Sequence, residues 1–305
     1  MPTILARHPR LAATFALFIL SLVWGYNWVV SKRALTYAGA LDFAAMRTLL
    51  AAASLFGVLA VMRQTSALKD VRGAFILGLL QTTAFISLTL LALVGGGAGR
   101  TAVLVYTMPT WVILFSHLVL RERTPPMQWL AVLLAIAGLA LLFGAVPDAT
   151  GWSLTLALLA AMFWAAGTVF AKQLQARRRC DVLVLTAWQM LLGGLPLALV
   201  ALALPGPSIH WTPYFAFALA YNALLGGALA WTLWLFALAK LPAGVASLGT
   251  LLTPVIGVLA AWLELGEIPD AAELIGMLVI VGSLTLVSAQ AIRDHRRVNP
   301  VMAQE

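Results

Sequence analysis

Residues 22–32, LVWGYNWVVSK, set an amide among aromatic side chains inside an otherwise apolar run. Residues three and four apart share a helical face, so Trp24, Asn27, Trp28 and Ser31 form one stripe. Flat rings beside an amide and a hydroxyl can stack an aromatic ring and hydrogen-bond a polar head. That chemistry is recognition and breaks no bond. The competing reading is an interfacial tryptophan belt, with Asn27 bonded to a neighbouring helix. Residues 162–172, MFWAAGTVFAK, repeat the pattern, with Trp164, Gly167, Thr168 and Ala171 in the matching places. Gln81, Tyr106 and Tyr221 are further polar-tipped candidates in apolar runs. The candidate substrate-binding set is therefore Trp24, Asn27, Trp28, Gln81, Tyr106, Trp164, Thr168 and Tyr221. Trp231 is read as a packing or lipid-facing residue.

Charge within these runs is scarce. Arg47 has three readings: it reaches outward to headgroups, pairs with Asp42, or binds a substrate carboxylate. All eleven Asp and Glu residues lie at segment ends, in loops or in the tail. No P-loop, no HExxH and no paired carboxylates occur, so no cofactor, metal or catalytic residue is assigned. The single cysteine, Cys180, rules out a disulfide within the chain and a cysteine-built metal cluster.

The elements that must hold these side chains are membrane helices. The chain has 305 residues, 62% apolar and only 10% charged, far from the composition of a soluble domain. Apolar stretches long enough to span a bilayer follow one another along the sequence. The predicted segments are roughly 12–32, 41–62, 72–94, 99–120, 127–146, 152–175, 182–204, 212–238, 243–265 and 271–292. Turn chemistry separates them, as in VGGGAG, RERTPP, VPDATG and LPGPS. With the N-terminus inside, fifteen Lys and Arg fall at inner ends. Only Lys32, Arg33 and Arg100 fall at outer ends. This asymmetry predicts cytoplasmic N- and C-termini for a multi-pass membrane protein. It also accounts for the net charge of +8. The partners expected are a small-molecule substrate and the lipid bilayer. No basic groove for nucleic acid can be assembled, and the oligomeric state stays open.

The repeat extends beyond one segment. Trp24 and Trp164 are 140 positions apart, as are Lys32 and Lys172. At a spacing of 145, Ala98-Gly99 answers Ala243-Gly244, Pro109 answers Pro254, and Glu122 answers Glu267. An ordered set of this kind points to a duplicated five-helix unit. The first unit is 1–146 and the second 147–292, followed by a cytoplasmic tail, 293–305. Five crossings per unit predict that the second copy runs opposite to the first, an arrangement found in secondary transporters. The fold class expected is an all-α membrane protein of ten transmembrane helices, two inverted repeats around a central cavity. Pro109 and Pro254 remove mid-helix hydrogen bonds and are the candidate gating or hinge residues.

SLVWGYNWVVSK, the twice-occurring Pro-x12-Glu (Pro109/Glu122 and Pro254/Glu267) and ten short-looped helices resemble the drug/metabolite transporter superfamily, EamA-type branch. The aromatic richness is most similar to bacterial aromatic amino-acid exporters. The resemblance covers essentially the whole chain. It implies a carrier that moves small amphipathic metabolites outward by alternating access. The glycine-rich GGGAGR at 95–100 departs from the family pattern. The functional expectation is a facilitative exporter of neutral or zwitterionic amphipathic metabolites, aromatic amino acids foremost. The alternatives are a proton-coupled exporter of drugs or other metabolites and, from a different class, an intramembrane enzyme.

Overall fold

A hydrocarbon environment offers no water to backbone groups, so an apolar chain there must satisfy them internally, as a helix does. The computed structural model is accordingly all-helical among the residues it describes. These are 9–120, 126–144, 151–177, 181–241, 243–248, 250, 252–268, 270–271, 274–276, 278–279 and 281–282. Glu122, Cys180, the 147–150 turn and the 293–305 tail lie outside them. The first half contains α1 (Pro9–Ala34), α2 (Ala40–Val61), α3 (Val71–Leu77), a π-helical stretch (Gly78–Ala84) and α4 (Phe85–Gly95). It continues with α5 (Ala98–Val105), α6 (Met108–Phe115), a short π stretch (Ser116–Leu120) and α7 (Pro126–Gly144). The second half contains α8 (Gly151–Arg177), α9 (Val182–Ala203), α10 (Pro213–Ala220), a π stretch (Tyr221–Leu229) and α11 (Ala230–Lys240). It ends, as described, with α12 (Ala243–Leu248) and α13 (Leu252–Leu265). Among the described residues, seven helical segments are long and apolar enough to cross a membrane. Most of the tenth predicted segment, 271–292, lies outside the described residues.

Helix starts carry the expected caps. The Asp70 carboxylate accepts from the Gly73 N–H at 2.8 Å, and that of Asp181 from the N–H groups of Leu183 and Val184. Thr212 caps α10 ahead of Pro213, where a missing N–H costs nothing. Within the helices, Ser21, Ser54, Thr186, Thr232 and Ser247 donate to the carbonyl four residues back. Their hydroxyls are thereby satisfied without a neighbouring helix.

The packing repeats when the halves are exchanged. α1 lies along α13 and along α11; correspondingly, α8 lies along α5–α6 and along α4. The Gly78–Ala84 stretch packs on α9 and the Tyr221–Leu229 stretch on α2, while α2 and α9 pack on each other. The π stretches occupy positions about 145 apart. So do the interruptions that separate α5 from α6 and α12 from α13. At those interruptions Thr107 and Thr250 each donate to a carbonyl three residues back, at 2.7 Å. Pro109 sits in the first turn of α6, and Pro254 is the third residue of α13. Each therefore follows a break and does not bend a continuous helix.

The lysines end equivalent helices in the same way. Lys32 donates its ammonium to the carbonyls of Leu93 at 2.7 Å and Gly96 at 2.8 Å. Lys172 donates to those of Leu238 and Leu241, both at 2.7 Å. Leu93 and Gly96 lie 145 positions before Leu238 and Leu241. A cation at unsatisfied helix-end carbonyls is well placed electrostatically. Near Lys32, the Gly99 N–H donates to the Glu267 carboxylate at 3.1 Å, and Arg33 pairs with Glu264 at 3.3 Å. Glycines allow the closest crossings: a Cβ on Gly193 would stand 2.6 Å from the Gly78 carbonyl oxygen, and one on Gly25 would stand 2.6 Å from Ile256.

Candidate substrate cavity

A cavity of about 60 Å³ lies where α1, α2, α4, the α5–α6 break and α11 meet. α1 contributes Trp24, Asn27, Trp28 and Ser31, the stripe set by its helical period. α2 contributes Arg47; α4 contributes Phe85, Ile86, Thr89, Leu90 and Leu93. Val105, Tyr106 and Met108 come from the α5–α6 break, and Trp231 from α11.

The aromatic wall is held by its own polar tips and edges. Trp24 donates its indole N–H to the Gly226 carbonyl at 2.9 Å and meets Trp231 edge-on at 5.5 Å between ring centres. Trp28 meets Tyr106 edge-on at 6.4 Å, and Phe85 meets Trp231 at 6.1 Å. Edge-to-face pairs of this kind fix ring orientation. Ser31 donates to Asn222 Oδ1, and Asn222 to the Ala218 carbonyl. By contrast, Asn27 Oδ1 and Thr89 Oγ1 are buried without a hydrogen-bond partner. Buried polar atoms rarely stay unpaired unless something else binds them.

The structure thus brings Trp24, Asn27, Trp28 and Tyr106 together around one space. It sets the remaining candidates elsewhere. Gln81 donates to the Trp164 carbonyl at 3.2 Å and to Thr168 Oγ1 at 3.0 Å. Gly167 lets Gln81 approach, since a Cβ there would stand 2.3 Å from Gln81 Cγ. Gln81, Trp164 and Thr168 therefore join α8 to the π stretch before α4. The Trp164 ring lies against Trp234 at 4.5 Å, and both side chains are fully buried. Tyr221 donates its hydroxyl to the Val23 carbonyl at 2.9 Å and packs on Tyr26. His117 packs edge-on against Trp129 at 5.4 Å, away from the cavity lining.

Arg47, left with three readings by the sequence, is a cavity residue and only 8% exposed. Its guanidinium carbon stands 5.9 Å from the centre of the Phe43 ring. Asp42 does not pair with it. Phe85, Thr89 and Trp231 also belong to the lining without having been singled out for it. For Phe85 and Thr89 the signal was a shared face on α4, but the π stretch before it shifts that face relative to Gln81; Trp231 comes from α11. Among the described residues, no three His, Cys, Asp or Glu side chains converge to hold a metal.

The chain matches the model of the EamA-like transporter family twice, over residues 11–144 and 151–289. It is similar to the uncharacterized transporter YoaV of Bacillus subtilis, 27% identical over 86% of this chain and 91% of that one. It is also similar to YvbV, another uncharacterized transporter of that organism, 30% identical over 93% of each chain. A protein of Salmonella typhimurium named as a probable amino-acid metabolite efflux pump is 28% identical over 88% of this chain and 92% of that one. A solved crystal structure shares the fold with a TM-score of 0.71 at 19% identity, covering 92% of this chain and 99% of that one. The helices, the two matched halves and the transporter relatives lead to one conclusion: this chain is a transporter, not an enzyme, and belongs to the EamA-like family of the drug/metabolite transporter superfamily.

Proposed function

We propose that this transporter exports small amphipathic metabolites, aromatic amino acids first among them, across the cell inner membrane. The observation that carries the reading is the cavity itself: five aromatic residues, Trp24, Trp28, Phe85, Tyr106 and Trp231, around the unpartnered polar atoms of Asn27 and Thr89. Rings stack the cargo and the polar atoms hold its head. The efflux-pump name of the Salmonella relative agrees with this direction and cargo class. The charge asymmetry of the loops supports cytoplasmic termini.

The carrier works by alternating access between two five-helix halves, 1–146 and 147–292, of opposite direction. Support comes from the exchangeable packing scheme and from the lysine contacts. Lys32 ends α1 beside the end of α4, whereas Lys172 ends α8 beside the end of α11. α11 leads into α12–α13, whose far end returns to Arg33 through Glu264. α1 and α8 then point to opposite ends of the bundle. The breaks ahead of Pro109 and Pro254 serve as hinges. Around Trp164, the crevice that corresponds to the cavity is filled by Trp234, as expected when one side opens while the other closes. Transport is facilitative, because the described lining holds no carboxylate or histidine to couple a proton.

The test is flux in proteoliposomes containing only this protein. Tryptophan and phenylalanine are expected to move faster than glutamate or lysine, and Trp24→Ala to slow them. Equal rates for all four amino acids would remove the substrate assignment. Uphill accumulation driven by a pH gradient, at clamped voltage, would replace facilitation with proton coupling.

A further inference from the structure

The cavity lining carries one full charge. Arg47 is buried on α2, faces the space and has no carboxylate partner among the described residues. Arginine keeps its charge at any physiological pH. An uncompensated charge in a low-dielectric wall is costly, and a ligand that neutralises it gains accordingly. A glycine leaves local space beside Arg47 and Asn27. A Cβ on Gly226 would come within 3.3 Å of Asn27 Oδ1 and 3.7 Å of Arg47 Nη2. The glycine therefore keeps open the place where amide and guanidinium converge.

The guanidinium is a planar fork of donors that matches a carboxylate. The lining supplies no fixed anion for a cargo ammonium. Asn27 offers an acceptor as it stands, and a donor if its amide turns about χ2. Its role survives whether or not the cargo has an amino group.

We infer that the carboxylate is the group this cavity selects, through Arg47, and that the α-amino group is dispensable, so that aromatic monocarboxylate anions are cargo alongside aromatic amino acids. The inference rests on the cavity being the substrate site, as proposed above, and adds a ligand class and a specificity-determining residue to it. Aromatic amines, which present a second cation to Arg47, are excluded.

The experiment uses the purified full chain in detergent with radiolabelled 3-phenylpropanoate, competed by phenylalanine or by phenethylamine. Saturable binding, displaced by phenylalanine and not by phenethylamine, is expected. Arg47→Gln should weaken 3-phenylpropanoate binding by roughly 10- to 100-fold, the worth of a charged hydrogen-bond pair. Arg47→Lys should fall between the two. Thermal melting checks that both variants fold; if neither folds, the three-ligand comparison on the unsubstituted protein decides alone. Reconstituted protein on a charge-sensing solid-supported membrane should give a current with 3-phenylpropanoate and none in protein-free vesicles. Passive leak of the neutral acid carries no charge and cannot mimic this. The inference is overturned if phenethylamine competes as well as phenylalanine, if 3-phenylpropanoate fails to bind, or if a folded Arg47→Gln binds it normally. Phenylalanine flux without 3-phenylpropanoate binding would sink the inference and leave the proposed function standing. The converse result would remove amino acids as cargo and retain the carboxylate.

Discussion

Replacing Lys32 with methionine keeps the aliphatic stem and deletes the ammonium. Two short bonds vanish, to Leu93 at 2.7 Å and Gly96 at 2.8 Å, with a longer one to Val94 at 3.3 Å. Each charged hydrogen bond contributes about 1.5–3 kcal/mol when well buried. Lys32 is only partly buried, so water takes over a share of the carbonyls once the ammonium is gone. The expected loss is about 2 kcal/mol, roughly a 30-fold change in the unfolding constant. Lys172→Met removes two bonds of 2.7 Å at the matching place and should cost at least as much. The two sites share no partner, so the double variant should show additive losses to within about 0.5 kcal/mol. The assay is reversible unfolding in mixed micelles on titration with a denaturing detergent. A change below about 0.5 kcal/mol for Lys32→Met would refute the reasoning, since the ammonium would then be solvated and not a helix cap. Near-complete loss from one lysine and none from the other would contradict the matched geometry.

Gly193→Ala should destabilise by about 1–3 kcal/mol in the same assay, because its Cβ would overlap Thr82 and the Gly78 carbonyl. Gly57→Ala meets nothing within 4 Å and should be neutral or stabilising by up to about 1 kcal/mol. Gln81→Ala is expected to cost about 1–2 kcal/mol of stability while leaving the affinity for phenylalanine unchanged, as measured by equilibrium binding. Trp231→Ala should do the reverse, weakening binding several-fold with a smaller effect on folding. A reporter fused after Glu305 should be cytoplasmic and one inserted at 147–151 external; finding both on one side would overturn the ten-crossing arrangement.

The helices were legible because apolar runs of bilayer length leave the backbone no alternative, and turn residues mark their ends. The α1 stripe was legible for the same reason: Trp24, Asn27 and Trp28 lie on a regular helix, so a period of 3.6 finds their face. Gln81 and Tyr221 do not line the cavity, and each lies in a π-helical stretch. The wider turn there shifts the face that follows, bringing Phe85 and Thr89 to the cavity while Gln81 points to Trp164 and Thr168. Trp231 reads as packing from its neighbours, and only the meeting of α11 with α1 sets it opposite Trp24. Arg47 illustrates a different limit. Its position in the sequence allowed Asp42 as a partner, and spacing cannot say which way a long side chain turns.

The halves share a scaffold but differ where it counts: Thr89 of α4 and Trp234 of α11 stand 145 positions apart, one small beside an open space and one filling its counterpart against Trp164. Opening the second crevice requires that indole pair to separate, at about 0.5–1.5 kcal/mol beyond the area exposed. At the first, the Trp24–Trp231 pair already borders an open space. Under the proposed alternating access, the empty carrier would then spend most of its time facing one way. A passive carrier cannot shift the final concentrations on the two sides, yet it can bind cargo with different half-saturation from each. Reorientation of the empty protein then limits net movement, and cargo added to the far side should speed exchange. If the proposed alternating access holds, this single threonine-for-tryptophan difference between α4 and α11 would make the carrier kinetically one-sided.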